Sequence, residues 1–300
     1  MAMSFPSAPR GLVTPIEPAS ARLRASVALP SSARETSYSI AFGRIDTAVA
    51  SSCGSTHHRN EDAHSPAGHP TLLFVVADGV GGGAMAETAS RELVAQLHAA
   101  LDGARPDAAA VKKAMLAADR AIASRIAEVT SAPGAATVVM CAPVNVLASR
   151  WLIGWVGDCR AYRLAAVDGG RVDLLSCDDT FRALGEAAPP GGSLDDPARM
   201  VGNGAIAGAN VALHELAAGD LLTLCSDGVH KHLAPDDWAG ALHVDAPLPE
   251  RCTQLIAAAR AHGSTDDATV LLLRRAGFAM RRPRWIARFG GRDTDGGSNP

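Results

Sequence analysis

Acidic residues recur in this chain where short apolar runs give way to glycine. Leu72-Leu73-Phe74-Val75-Val76-Ala77 ends on Asp78-Gly79-Val80-Gly81-Gly82-Gly83, and comparable turns stand at Gly157-Asp158-Cys159-Arg160, Ser226-Asp227-Gly228 and Asp266-Asp267. Glu61 and Asp62 close a polar segment that starts at Cys53. A carboxylate at the end of a buried strand is costly unless it meets a cation, a set of donors or water. If one sheet system carries these strand ends to a common edge, Glu61/Asp62, Asp78, Asp158, Asp227 and Asp266/Asp267 form a dense carboxylate cluster. Such a cluster cannot be fully ionised at neutral pH without cations, because like charges raise each other's pKa. All-oxygen ligands favour Mg²⁺ or Mn²⁺ over zinc. Two such ions sharing a carboxylate lower the pKa of a trapped water from 15.7 towards about 7 and make it a nucleophile. That chemistry suits hydrolysis of a phosphoester, whose anionic oxygens the same ions neutralise.

Plainer readings compete at each position. Asp78 could cap the helix that follows, Asp158 could be a hairpin-turn residue, and Asp227 could be only a turn between Ser226 and Gly228. One of Asp266 and Asp267 is expected to be a solvated neighbour. Cys53, His57, His58, His64 and His69 match no standard zinc spacing. A glycosidase carboxylate pair is disfavoured, because only 4% of residues are aromatic and the acids follow strands with glycine after them. His98 and His243 read as surface or partly buried side chains.

The elements that must position the acids are legible in outline. Residues 1–36 are rich in Ser, Pro, Ala and Arg and read as a flexible leader. Alternating Tyr38, Ile40 and Phe42 predict a first strand, and Asp46–Ser52 continues it or forms a second. Met85, Ala89, Leu93, Leu97 and Leu101 predict one helix; Val111, Met115, Ile122, Ile126 and Val129 predict another, opened by Pro106-Asp107. Both are one-sided, as for packing on a sheet. Strand-like runs at 136–142, 151–156, 161–165 and 172–175, with short turns between them, imply antiparallel pairing. Residues 178–208 are irregular, strands resume at 211–216 and 221–225, a helix covers 250–261, and 268–274 is a last strand. The tail from 276 is basic, then Gly-rich, and reads as disordered.

The chain is 47% hydrophobic with a formal charge of −3, which suits a globular protein and gives no reason to expect nucleic-acid binding. No apolar run approaches the roughly 20 residues needed to span a bilayer. Six scattered cysteines without a C-x-x-C pair or a secretory leader read as reduced thiols, and the expected compartment is cytoplasmic.

In order and spelling, Asn60-Glu61-Asp62, Asp78-Gly79-Val80-Gly81-Gly82, Gly157-Asp158-Cys159-Arg160-Ala161-Tyr162, Ser226-Asp227-Gly228 and Asp266-Asp267-Ala268-Thr269 resemble the metal-dependent Ser/Thr protein phosphatases of type 2C in their bacterial form. The resemblance covers residues 37–275, the expected catalytic domain. It implies an α+β fold, a four-layer α-β-β-α sandwich of two antiparallel sheets flanked by helix pairs, with 178–208 as the flap beside the active site. By the same resemblance Asp78 bridges two Mn²⁺ or Mg²⁺ ions, the Gly79 carbonyl binds one of them, and Asp227 and Asp266 complete the first ion's ligands. Glu61 and Asp62 act near the second ion, largely through its waters. Asp158 with Asp227 matches the place of a weaker third ion.

One departure concerns the phosphate grip. Where the family usually carries an arginine, this chain has His57, and Arg59 is the nearest arginine. Histidine titrates near 6.5 and lacks the two-pronged fork, so weaker, more pH-dependent phosphate binding is expected. Asp267 stands where an asparagine is common. The resulting expectation is hydrolysis of phosphoserine and phosphothreonine on proteins, a Ser/Thr kinase or its substrates being the partners. The competing expectation is a non-catalytic phosphoprotein-binding or regulatory module of the same fold, and a third is activity on a small phosphorylated molecule.

Overall fold

The computed structural model describes residues 33–277 apart from 56–57, 82–83, 104, 133, 167–170 and 244–245. His57, most of the expected leader and nearly all of the tail lie outside the described residues. Strand β1 (Arg34–Ile40) begins inside the stretch expected to be leader, and Arg34 pairs with Val49 of β2 (Gly43–Ser52).

Apolar residues on both faces of the central strands dictate the layering. In β4 (Phe74–Val80), Val75 and Ala77 face one core while Phe74 and Val76 face another. In β11 (Ala268–Gly277), Leu271 and Leu273 point to the middle core while Val270 and Leu272 point outward. A strand buried on both sides reads as a continuous apolar run, and it needs a layer against each face.

One sheet has the order β1-β2-β11-β10-β7-β8, where β7 is Arg160–Leu164, β8 Val172–Leu174 and β10 Leu221–Cys225. The other has the order β3-β4-β5-β6-β9, where β3 is Ala63–His64, β5 Ala135–Pro143, β6 Arg150–Val156 and β9 Asn210–Glu215. All pairings are antiparallel. Helices α1 (Ala84–Ala100) and α2 (Ala108–Val129) cover the second sheet through Leu93, Leu97, Met115 and Ile122. Asp107 caps α2 by accepting from the Ala110 N–H, as its place before the periodic stretch predicts. On the first sheet lie α5 (Pro235–His243) and α6 (Leu248–Ala261), with Trp238, Leu255 and Ile256 inward. The result is the four-layer α-β-β-α sandwich. Three short elements carry too little periodicity to be read from sequence: β3, α4 (Asp227–His230) and α5.

His98 is not a surface side chain. It is buried, its Nε2 2.8 Å from Ser65 Oγ and its Nδ1 3.2 Å from Thr71 Oγ1. Burial, then the neighbouring His69, lowers its pKa from 6.5 to about 4. The fold therefore holds His98 neutral. The stability this contributes is complete above pH 6.5 and is lost as the unfolded chain takes up a proton and pH falls through 4. Urea melts should show a loss of up to about 3 kcal/mol over that window, with a shallower pH slope in His98→Gln. Identical slopes for the two proteins would refute the assignment.

Candidate active site

Each acid reaches the site from a different element. Asp78 lies in β4 opposite Thr137 of β5, two residues before the strand ends. Asp158 follows β6 through Gly157, whose φ is +93° and whose added Cβ would stand 2.5 Å from the Thr137 side chain, so only glycine turns the chain here. Asp227 opens α4 directly after β10. Asp266 and Asp267 immediately precede β11, and Glu61 and Asp62 precede β3.

Asp62 is buried, and Ser226 Oγ donates to its Oδ2 at 2.7 Å while its Oδ1 has no hydrogen-bond partner. Burial first, with Asp227 and Asp267 adding like charge, raises its pKa to about 8 against the lowering pull of Ser226 and Thr269. Asp78 is raised well above the carboxylate range by burial, then by Asp227 and Asp62. The Asp227 charge is thus one of the causes that push the Asp78 carboxyl upward. Burial would raise Asp227 too, but the Lys231 charge and the Asp78 hydrogen bond outweigh it, and the net shift is downward. Asp158 is buried and raised to about 6 by burial and Asp227, against the pull of Lys231.

Lys231 is a feature that sequence inspection missed. Its ammonium donates to Asp227 Oδ2 at 2.7 Å and lies 2.8 Å from Asp158 Oδ2, the second contact being an ion pair outside hydrogen-bond geometry. Its i,i+4 spacing to Asp227 was a legible signal; its proximity to Asp158 was not. Ser226 was also missed: besides holding Asp62, its Oγ accepts the Thr269 N–H at 2.9 Å and so ties the Asp62 loop to β11.

Asp267 is not a solvated neighbour. It is buried and takes the Gly54 N–H at 2.6 Å and the Glu61 N–H at 2.7 Å, which pins the polar loop to the start of β11. The Glu61 carbonyl accepts from Ser90 Oγ at 2.5 Å and from the Gly79 N–H at 3.2 Å, so Glu61 and Gly79 are backbone neighbours. Asp266 is half-buried beside the Asp227 turn: a Cβ on Gly228 would lie 3.3 Å from its own. Arg59 is mostly exposed and reaches Glu87 of α1 at 3.3 Å.

The irregular segment expected as a flap contains α3 (Phe181–Leu184) and is tied down at both ends. Asp179 accepts the Gly157 N–H at 3.1 Å and Asn210 Nδ2 at 2.9 Å. Asp119 of α2 holds the Gly202 and Gly204 N–H groups at 2.7 and 3.0 Å.

The donor set is hard oxygen throughout, and buried oxygens of Asp62 and Asp227 have no protein donor. Buried acids that raise one another's pKa in this way fit cations of the Mg²⁺ or Mn²⁺ class by charge and by donor type. Among the described residues, however, no three His, Cys, Asp or Glu side chains are drawn tightly enough together to hold one ion as they stand.

Fold and acid cluster together define a class: a two-sheet α-β-β-α sandwich with strand-end carboxylates converging at one edge. The family model for Protein phosphatase 2C matches residues 51–264, and the chain belongs to that family. The chain is 29% identical over 210 residues to the serine/threonine protein phosphatase PstP of Mycobacterium tuberculosis. That alignment takes in 67% of this chain but spans only 40% of the relative's length. The crystal structure of the M. tuberculosis PstP/Ppp phosphatase matches with a TM-score of 0.66 at 26% identity, over 77% of this chain and 99% of that one. The PstP catalytic domain in complex with two manganese ions matches with a TM-score of 0.64 at 25% identity, over 77% and 97% of the two chains.

Proposed function

We propose that this protein hydrolyses phosphoserine and phosphothreonine on proteins with the help of Mn²⁺ or Mg²⁺ held by its carboxylate cluster. The observation that carries the reading is that Asp62, Asp78 and Asp158, from three separate elements, are each pushed up by burial and by the charge of the same fourth acid, Asp227. A protein that keeps such a cluster buried needs a cation to make it worthwhile. Asp78 and Asp227, with the Gly79 carbonyl and Asp266, would hold the ions, and Glu61 and Asp62 would orient their water. When bound, such ions activate water for attack and neutralise the phosphoryl oxygens.

The chain's own groups prepare the rest. Ser226 fixes the Asp62 carboxylate, and Asp267 fixes the Glu61 backbone. Arg59 or His57 would meet the incoming phosphate. Membership of the family and the two-manganese PstP relative support this reading. A Ser/Thr kinase or its substrates are the partners that the chemistry suggests. No disulfide joins the described cysteines, in keeping with a reducing, cytoplasmic setting. No helix among the described residues is long and apolar enough to cross a membrane.

A second reading, a phosphoprotein-binding module without turnover, draws on Lys231, which already neutralises part of the cluster. Phosphate release from phosphothreonine peptides and from p-nitrophenyl phosphate separates the two. Turnover should require added Mn²⁺ or Mg²⁺, vanish with EDTA and return with metal. Peptide binding without turnover at any metal concentration favours the module, and turnover that survives EDTA overturns both readings.

A further inference from the structure

The corner between Asp158 and Asp227 differs from the rest of the cluster. Asp62 Oδ1 and Asp227 Oδ1 are buried without a hydrogen-bond partner, and among the described residues no ion pair is made to Asp62 or Asp78. Asp158 and Asp227 instead share the ammonium of Lys231, at 2.8 and 2.7 Å. Among the described residues, Lys231 supplies the one ion-pair contact to either acid. A divalent ion joining these two carboxylates would need the same oxygens at about 2.0–2.6 Å. The ammonium and the ion cannot occupy that space together.

The backbone beneath Lys231 is fixed, and its side chain, 35% exposed, reaches inward to the two acids. Its N–H bonds the Asp227 carbonyl at 3.0 Å at the end of α4, so its side chain starts one turn from Asp227. The preceding His230 is buried, with Nε2 2.8 Å from the Asp158 carbonyl, which fastens the Asp158 backbone to the same short helix. The Asp158 side chain is 2% exposed, so no bulk water replaces the lysine there. The next basic group along, Arg160, is engaged by Asp178 through two bonds of 2.8 and 2.6 Å and leaves the corner to Lys231.

We propose that Lys231 is a built-in cation that closes the Asp158–Asp227 corner to divalent ions, so that metal is held only on the Asp78 side of Asp227. This rests on the functional reading in one respect, that divalent ions enter the cluster at all. The protein thereby carries a fixed single positive charge where an exchangeable double one could sit. Its metal count at saturation is thereby one lower than the acids alone would allow.

The test is metal stoichiometry rather than activity. The full chain, stripped with chelator, is titrated with Mn²⁺ while free Mn²⁺ is followed by its electron paramagnetic resonance signal. Lys231→Ala should bind one more Mn²⁺ than wild type, and adding Asp158→Asn should remove the extra ion. Lys231→Arg, which keeps the charge, should show the wild-type count and guards against a trivial folding effect, which circular dichroism would reveal. Equal counts of one or more in wild type and Lys231→Ala overturn this proposal and leave the functional reading intact. No ion in wild type but one in Lys231→Ala confirms that the lysine closes the corner, yet overturns the placement of metal on the Asp78 side and with it the functional reading. No binding to either protein defeats both.

Discussion

Asp78→Asn is expected to lower metal-dependent phosphatase turnover by about 10³-fold or more while leaving the metal-free protein at least as stable as wild type. The two halves have one cause. Asp78 is the group whose charge the fold resists most openly: burial, Asp227 and Asp62 all push its pKa up. Without metal a charge on its carboxyl is opposed by burial and by Asp227 and Asp62, and an asparagine amide brings no charge to that place. With metal, the variant would lack a negative oxygen that would help hold the ions. Functional sites commonly hold such groups at the expense of stability, and removing them relieves the fold. Steady-state kinetics with saturating Mn²⁺ and thermal melts in EDTA check both halves. A variant that keeps a tenth of wild-type turnover would remove Asp78 from the reaction.

Gly228→Ala should be the most damaging small substitution near the site. Gly228 is buried in α4, and an added Cβ would run into the backbone carbonyl of Asp267. Its own carbonyl accepts from Ser264 Oγ at 2.6 Å, so the α4 turn cannot slide away. A methyl group pressed on a backbone atom cannot be absorbed by a rotamer change, and the expected cost is about 3 kcal/mol. For a domain of this size that lowers the melting temperature by about 6–12 °C. Because Asp227 precedes this glycine and Asp266 lies against it, the folded fraction should also lose turnover. A melting temperature within about 2 °C of wild type would show that the two segments can separate freely.

Much of this protein was legible before any fold was known, for reasons that differ by residue. The α1 and α2 helices declare themselves because burial of one face repeats every three to four residues. The strands around Asp78 and Asp227 declare themselves because layers on both faces require unbroken apolar runs. Elements as short as α4 and β3 exist only because neighbouring layers hold them, and they leave no period to detect.

The site divides along the same line. Asp78 and Asp227 stand out in the chain because an acid followed by glycine after an apolar run is locally expensive, and local expense is written in local sequence; Glu61, Asp62, Asp158 and Asp266 stand beside other strand boundaries. Which donor meets which oxygen is a different matter. Asp267 as a latch on Gly54 and Glu61, Ser226 as the tether of Asp62, and Lys231 as the cation between Asp158 and Asp227 join residues far apart along the chain. The chain's own order of apolar and acidic residues determined the one-sided helices, the buried strands and the candidate acids. Only the packing of two sheets against each other decided where one lysine's charge comes to rest, because Coulomb attraction and hydrogen bonding depend on distances that no sequence spacing encodes.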